Sequence, residues 1–165
     1  MAEKEKVQET VREELNLEEN VTVKSISNWD TTFSRKTTLG DVLIAPNGSM
    51  RLTRNEIIAQ VQSGTTLFTG TDGRGKHATL YIDDAPTRIY LGFESEDGFE
   101  KQDVFTDARV KEVFKIASQD AFEKECRKVF VTRAEKFAVV DAIRRLKIND
   151  FSKIRFIENY TGYTV

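Results

Sequence analysis

The feature that most constrains this chain is a change of hydrophobic period near residue 100. Up to Phe93 the apolar residues come in short runs and alternating pairs, whereas beyond Asp103 they recur every three or four positions. One element cannot carry both periods, because side chains alternate across a strand but line one stripe of a helix. The chain is therefore expected to be α+β: a β-rich N-terminal lobe, a small antiparallel sheet or barrel with one inserted helix, followed by a C-terminal helical lobe. The stretch from Glu94 to Asp103 is acidic, contains glycine and is poor in apolar residues, and reads as the linker. The expected division is an N-terminal arm (1–20), a β-rich lobe (21–98) and a helical lobe (99–165).

In the β-rich part, Val21-Thr22-Val23 alternates, Thr31–Arg35 is β-prone, and Val42-Leu43-Ile44 is a continuous apolar run. Pro46-Asn47-Gly48 supplies turn chemistry, and Ser49–Leu52 returns as the next strand. Thr53-Arg54-Asn55-Glu56 fits a capping box, in which the threonine hydroxyl and the glutamate carboxylate satisfy amides at a helix start. Ile57, Ile58 and Val61 form the apolar face of that helix, and Gly64 stands at its stop. Strands are expected again at Thr66–Thr69, Ala78–Ile82 and Thr87–Phe93, with Asp83-Asp84-Ala85-Pro86 as a hairpin turn and its carboxylates solvated.

Beyond the linker, Thr106 and Ser118 stand where helix caps are expected. Thr132-Arg133-Ala134-Glu135 is a second capping box, Asn149 or Asp150 opens a last helix, and Gly162 closes it. At the other end, Val7, Val11 and Leu15 recur at intervals of four and predict a short amphipathic helix. So narrow a stripe must pack on something, either the body of the protein or a neighbouring subunit.

Charge and cysteine usage narrow the function classes. The net charge is −2 over 165 residues, so no global basic excess draws the chain to nucleic acid. Cys126 is the single cysteine, which rules out an intrachain disulfide and fits a reducing compartment. Met1–Glu14 lacks the apolar stretch of a secretory signal, and no run approaches the ~20 apolar residues that span a bilayer. A cytoplasmic location without membrane contact is expected.

Residues Gly70-Thr71-Asp72-Gly73-Arg74-Gly75-Lys76-His77 look like a phosphate-binding loop, with two glycines five apart and a lysine. The match fails on mechanism. The position after the lysine, which needs a magnesium-ligating hydroxyl, holds His77, and a strand pattern follows where a helix N-terminus is required. The segment reads instead as a glycine-rich hairpin loop, whose Arg74, Lys76 and His77 would form an exposed contact tip. His77 is the only histidine and no serine near it suits a nucleophile, so no catalytic triad is supported. No catalytic, cofactor-binding or metal-binding residue is assigned, and Cys126 has the spacing of a core position. Trp29, the only tryptophan, lies between polar neighbours and is either a core anchor or an interface hot spot.

The last two helices have the length of a helix–turn–helix, with Arg133, Lys136, Arg144, Arg145, Lys147, Lys153 and Arg155 among them. Glu135, Asp141, Asp150 and Glu158 are interleaved with these, so nucleic acid is possible as a partner but not favoured.

Two stretches carry a resemblance. Residues 44–61, Ile-Ala-Pro-Asn-Gly-Ser-Met-Arg-Leu-Thr-Arg-Asn-Glu-Ile-Ile-Ala-Gln-Val, run on to Leu67-Phe68-Thr69-Gly70-Thr71-Asp72-Gly73. The other stretch is Val131-Thr-Arg-Ala-Glu-Lys136 with Leu146-Lys-Ile-Asn-Asp-Phe151 and Tyr160-Thr-Gly162. These resemble small uncharacterised proteins encoded by tailed bacteriophages, some in virion-gene neighbourhoods. The resemblance carries no catalytic residue. It implies a structural or accessory virion component, or else a protein directed at a host factor. The expectation is thus a non-catalytic protein that works by protein–protein assembly, through self-association or other virion proteins. Val7, Val11, Leu15, Trp29, Arg74, Lys76 and His77 are its contact candidates, and it takes no cofactor. The alternative is an inhibitor or binder of a host protein or nucleic acid through the helical lobe.

Overall fold

The computed structural model describes residues 15–102 and 105–165. The predicted helix bearing Val7 and Val11 lies outside them. Two antiparallel sheets form the N-terminal part. In the first, β1 (Asn20–Ser25) is central between β4 (Ser49–Thr53) and β5 (Leu80–Ile82), with Val21 opposite Leu52 and Val23 opposite both Met50 and Ile82. In the second, β2 (Thr31–Ser34) pairs with β3 (Asp41–Ile44), Thr31 opposite Ile44 and Ser34 opposite Asp41. The run Val42-Leu43-Ile44 is not buried throughout: Val42 and Ile44 face the core, and the pleat turns Leu43 outward.

Helix α1 (Arg54–Gln62) starts where the first capping box was expected, with the Thr53 side chain accepting from the Glu56 amide. The Glu56 carboxylate does not complete the box; it reaches across to the β2–β3 turn. Two expected strands are helical instead. Thr66–Thr69 is a single turn, α2, that seats Phe68 edge-on against Phe33, 5.4 Å between centroids. Thr87–Phe93 belongs mostly to α3 (Ala85–Tyr90), so Asp83-Asp84-Ala85-Pro86 is no hairpin turn. Asp84 caps α3 by accepting from the Thr87 amide, and Pro86 sits in its first turn, where a missing N–H costs nothing. The cap and proline outweigh the period-two look of Ile89, Leu91 and Phe93. Nor is Asp84 a free solvated acid, for it is bonded to Arg54.

The C-terminal helices follow their caps: α4 (Asp107–Phe114) behind Thr106, α5 (Gln119–Val129) behind Ser118, α6 (Arg133–Arg145) behind Thr132 and α7 (Phe151–Thr161) behind Asp150, closed by left-handed Gly162. Each such cap is worth about 1 kcal/mol, enough to fix a boundary. Two buried clusters result. One joins the strands through Val23, Ile57, Phe68 and Ile82; the other joins the helices through Phe122, Cys126, Phe130, Ile143 and Ile157.

Candidate functional site

The glycine-rich loop is closed on itself. Gly75 donates to the Thr69 carbonyl (2.7 Å) and Thr71 to the Lys76 carbonyl (2.8 Å). The amides of Arg74 and Lys76, which a phosphate would need, both donate to Asp72 Oδ1 at 2.8 and 3.1 Å. Burial alone would raise the Asp72 pKa, but these amides outweigh it and hold the carboxyl below its ordinary value. The loop thus supplies its own anion. Two of its glycines are forced by packing: a Cβ on Gly70 (φ +67°) would lie 2.0 Å from the Lys76 carbonyl oxygen, and one on Gly75 2.6 Å from Gln102 Nε2. We therefore expect ATP or GTP with magnesium to leave the melting temperature unchanged, in wild type and in Lys76→Ala alike. A magnesium-dependent rise lost in the variant would overturn this account of the loop.

Arg74 and Lys76 are exposed as expected, but His77 is not part of an open tip. Its side chain is only 10% exposed, and Nδ1 lies 2.9 Å from both Glu135 oxygens. A carboxylate only accepts, so Nδ1–H donates. Glu135 also accepts from the Thr132 amide (3.0 Å) and hydroxyl (3.1 Å), completing the second capping box. His77 is therefore a strut between the loop and the start of α6, a contact spanning 58 positions that no local pattern announces.

Trp29 sits on the same seam. Its ring meets Phe137 of α6 edge-on at 5.9 Å, Arg133 lies over it at 5.3 Å, and Phe137 stacks on Tyr163 at 3.8 Å. At 36% exposure it is neither a core anchor nor free. Leu15, at the edge of the described residues, is half-buried. Of the basic residues in the last two helices, Lys153 is buried and donates to the Phe114 carbonyl (2.6 Å), and Arg145 is held by Asp107. The basic face is narrower than the sequence suggested.

Above this seam lies a cleft of ≈ 500 Å³. Ile26, Tyr81, Phe105 and Ala138 give it apolar walls from just beyond β1, from β5, from the approach to α4 and from the middle of α6. On its rim, Arg145 grips Asp107 with two bonds (2.6 and 3.0 Å) and lies 3.6 Å from Asp141. The hydrogen bond from Arg145 is the main reason the Asp107 carboxyl is held below its ordinary pKa. The opposite wall holds Lys24, paired with Asp83 at 3.0 Å. Cys126 lies elsewhere, in the helical core, where burial pushes its thiol up to about 12. Among the described residues no group of three metal-binding side chains is found, and no helix is long and apolar enough to cross a membrane.

At the far end of the β2–β3 hairpin is a feature the sequence did not single out. Leu39, in the turn, is 98% exposed, the most exposed large apolar side chain among the described residues. The entry to that turn is held by a buried acid. Glu56 is buried, and its carboxylate accepts from the amides of Lys36 (2.6 Å) and Thr37 (2.8 Å), from the Thr37 hydroxyl, and from Gln60 Nε2 (2.8 Å). Gln60 also donates to the Ser34 carbonyl (2.8 Å). The base of the hairpin is fixed by buried hydroxyls, Ser27 Oγ lying 2.9 Å from Ser25 Oγ and 2.8 Å from Thr31 Oγ1. An apolar residue ahead of Gly40 in a polar turn was the available signal; the brace, twenty positions away, was not. Neither a protein-family model, nor a curated protein, nor a solved structure matches this chain.

Proposed function

We propose that the chain is a non-catalytic structural or accessory protein of tailed-bacteriophage type that works by protein–protein assembly, in the host cytoplasm and, as a virion component, in the particle. The observation that carries this reading is the braced hairpin. Val42 and Ile44 already seat the hairpin on the core, yet a buried carboxylate is also committed to ordering a turn whose apolar tip touches no core. Preorganising an exposed leucine lowers the entropic cost of inserting it into a partner. The resemblance of residues 44–61, 67–73, 131–136, 146–151 and 160–162 to phage proteins points the same way.

A second reading, a binder of nucleic acid or of a host protein through the helical lobe, rests on its own observation. Arg127 lies over Phe156, Lys136 over Tyr160 and Arg133 over Trp29, at 5.1, 4.7 and 5.3 Å, and none of the three cations has an ion-pair partner among the described residues. Cations beside aromatic faces suit a single strand. Sedimentation across a dilution series, with and without a single-stranded oligonucleotide, separates the two. Mass that grows with protein concentration alone supports assembly. A strict monomer that carries the oligonucleotide, and drops it steeply as salt is added, supports the second reading and removes the first.

A further inference from the structure

We propose that the β2–β3 tip of one copy docks in the inter-lobe cleft of the next, so that the chain assembles head to tail with itself. This rests on the assembly reading and names the partner: a second copy of this chain. Three observations carry it.

The first is fit. The tip presents one leucine side chain on a narrow turn closed by the Arg35 amide donating to the Gly40 carbonyl (2.9 Å). The cleft offers ≈ 500 Å³ behind apolar walls, room for a leucine and its flanking turn residues.

The second is charge. The tip carries Arg35 and Lys36 and no acid between residues 35 and 40, and neither cation has an ion-pair partner among the described residues. On the cleft rim two carboxylates, Asp107 and Asp141, share the single guanidinium of Arg145, which leaves one negative charge in excess. Asp141 is the looser of the two, at 3.6 Å with half its side chain exposed, and is placed to take an incoming cation. Lys24 on the other wall is already held by Asp83 and adds no repulsion.

The third is direction. The base of the hairpin adjoins the cleft: the Asn47 amide donates to the Ser27 carbonyl, and Asn28 and Asn47 line the cavity. The tip points away, a four-residue ladder of ~10 Å plus the turn beyond that base, and the Glu56 bonds keep it from folding back. Finger and socket therefore sit at opposite ends of the same lobe. A contact between them joins two unlike surfaces. With finger and socket at opposite ends, the proposed head-to-tail arrangement repeats into a ring or an open filament.

The test is a complementation by sedimentation. Wild type is expected to grow in mass with concentration. Leu39→Asp, which alters only an exposed side chain, and Ala138→Trp, which fills the cleft, are each expected to remain monomeric. Mixed in equal amounts they should recover a species of two copies and nothing larger, because one variant keeps only the socket and the other only the finger. Circular-dichroism melts confirm that each variant folds; should Ala138→Trp fail that control, Ser49→Trp, exposed on β4 at the cleft edge, takes its place. Assembly by Leu39→Asp at wild-type concentrations would overturn finger-to-cleft docking and leave the assembly reading intact. A mixture that stays monomeric, or grows beyond two copies, would also overturn it. A wild type that never leaves the monomer sinks the docking and the assembly reading together.

Discussion

Glu56→Ala is expected to cost the fold about 2–4 kcal/mol in urea unfolding and to release the β2–β3 turn. The carboxylate satisfies the Lys36 and Thr37 amides, the Thr37 hydroxyl and Gln60 Nε2 from a position almost out of contact with water. Alanine leaves those donors facing a cavity, and a buried donor without a partner costs ~1–3 kcal/mol. Glu56→Gln fills the space but turns an amide N–H₂ toward donors, so it should recover little. Hydrogen exchange gives the local readout: the Lys36 and Thr37 amides should exchange far faster in the variant, while amides in the helical cluster keep their protection. Equal exchange at those two amides would show that the brace is not what orders the turn.

Acid should expose the same group. Burial on its own would raise the Glu56 pKa, but the donors on its oxygens outweigh burial and lower it from 4.5 to about 2. A group whose pKa is depressed on folding contributes its full stability above the unfolded value and loses it as pH falls through the folded one. The wild type should therefore lose stability more steeply than Glu56→Gln between pH 4.5 and about 2.

The second large effect is expected two residues earlier. Arg54 is buried, donating to the Thr87 hydroxyl (3.0 Å), the Asn16 carbonyl (2.6 Å) and Asp84 (3.1 Å), and pairing with Glu19 at 3.1 Å. Its guanidinium ties the segment ahead of β1 to α1 and to the cap of α3. Arg54→Ala should cost about 2–4 kcal/mol, because it removes a buried guanidinium and leaves the Asn16 carbonyl, the Thr87 hydroxyl and the partly buried Asp84 without their donor. The Asp84 carboxyl, held below its ordinary pKa against burial by bonds from Thr87 and Arg54, should then titrate closer to its ordinary range. Arg54→Lys should rescue only part, since one ammonium cannot span partners lying in several directions. A loss near ~0.5 kcal/mol, typical of surface positions, would mean that the pair is dispensable.

Much of the architecture was legible because its causes are local. Thr53, Thr106, Ser118, Thr132 and Asp150 each announce a helix by what they do to the amide three residues on, and β1, β3 and β4 follow from alternation, a continuous apolar run and the Asn47-Gly48 turn. The errors have a local cause as well. In Thr87–Phe93 a period-two pattern competed with a cap and a proline, and the cap decided. The candidate site was far less legible. His77 meets Glu135, Glu56 meets Lys36 and Thr37, and Arg145 meets Asp107 across long separations, so the residue types were visible while their pairing was not. Leu39 is hard to read from sequence for the converse reason: one leucine in a turn has no periodicity, and the brace beneath it is held on another element.

Trp29 has a practical consequence. Its ring is touched by Phe137 and Arg133, which belong to the other side of the seam, and the chain has no second tryptophan. Its emission is thus an intrinsic optical gauge of whether the two halves of the molecule are seated on each other, distinct from ellipticity, which reports the helices themselves.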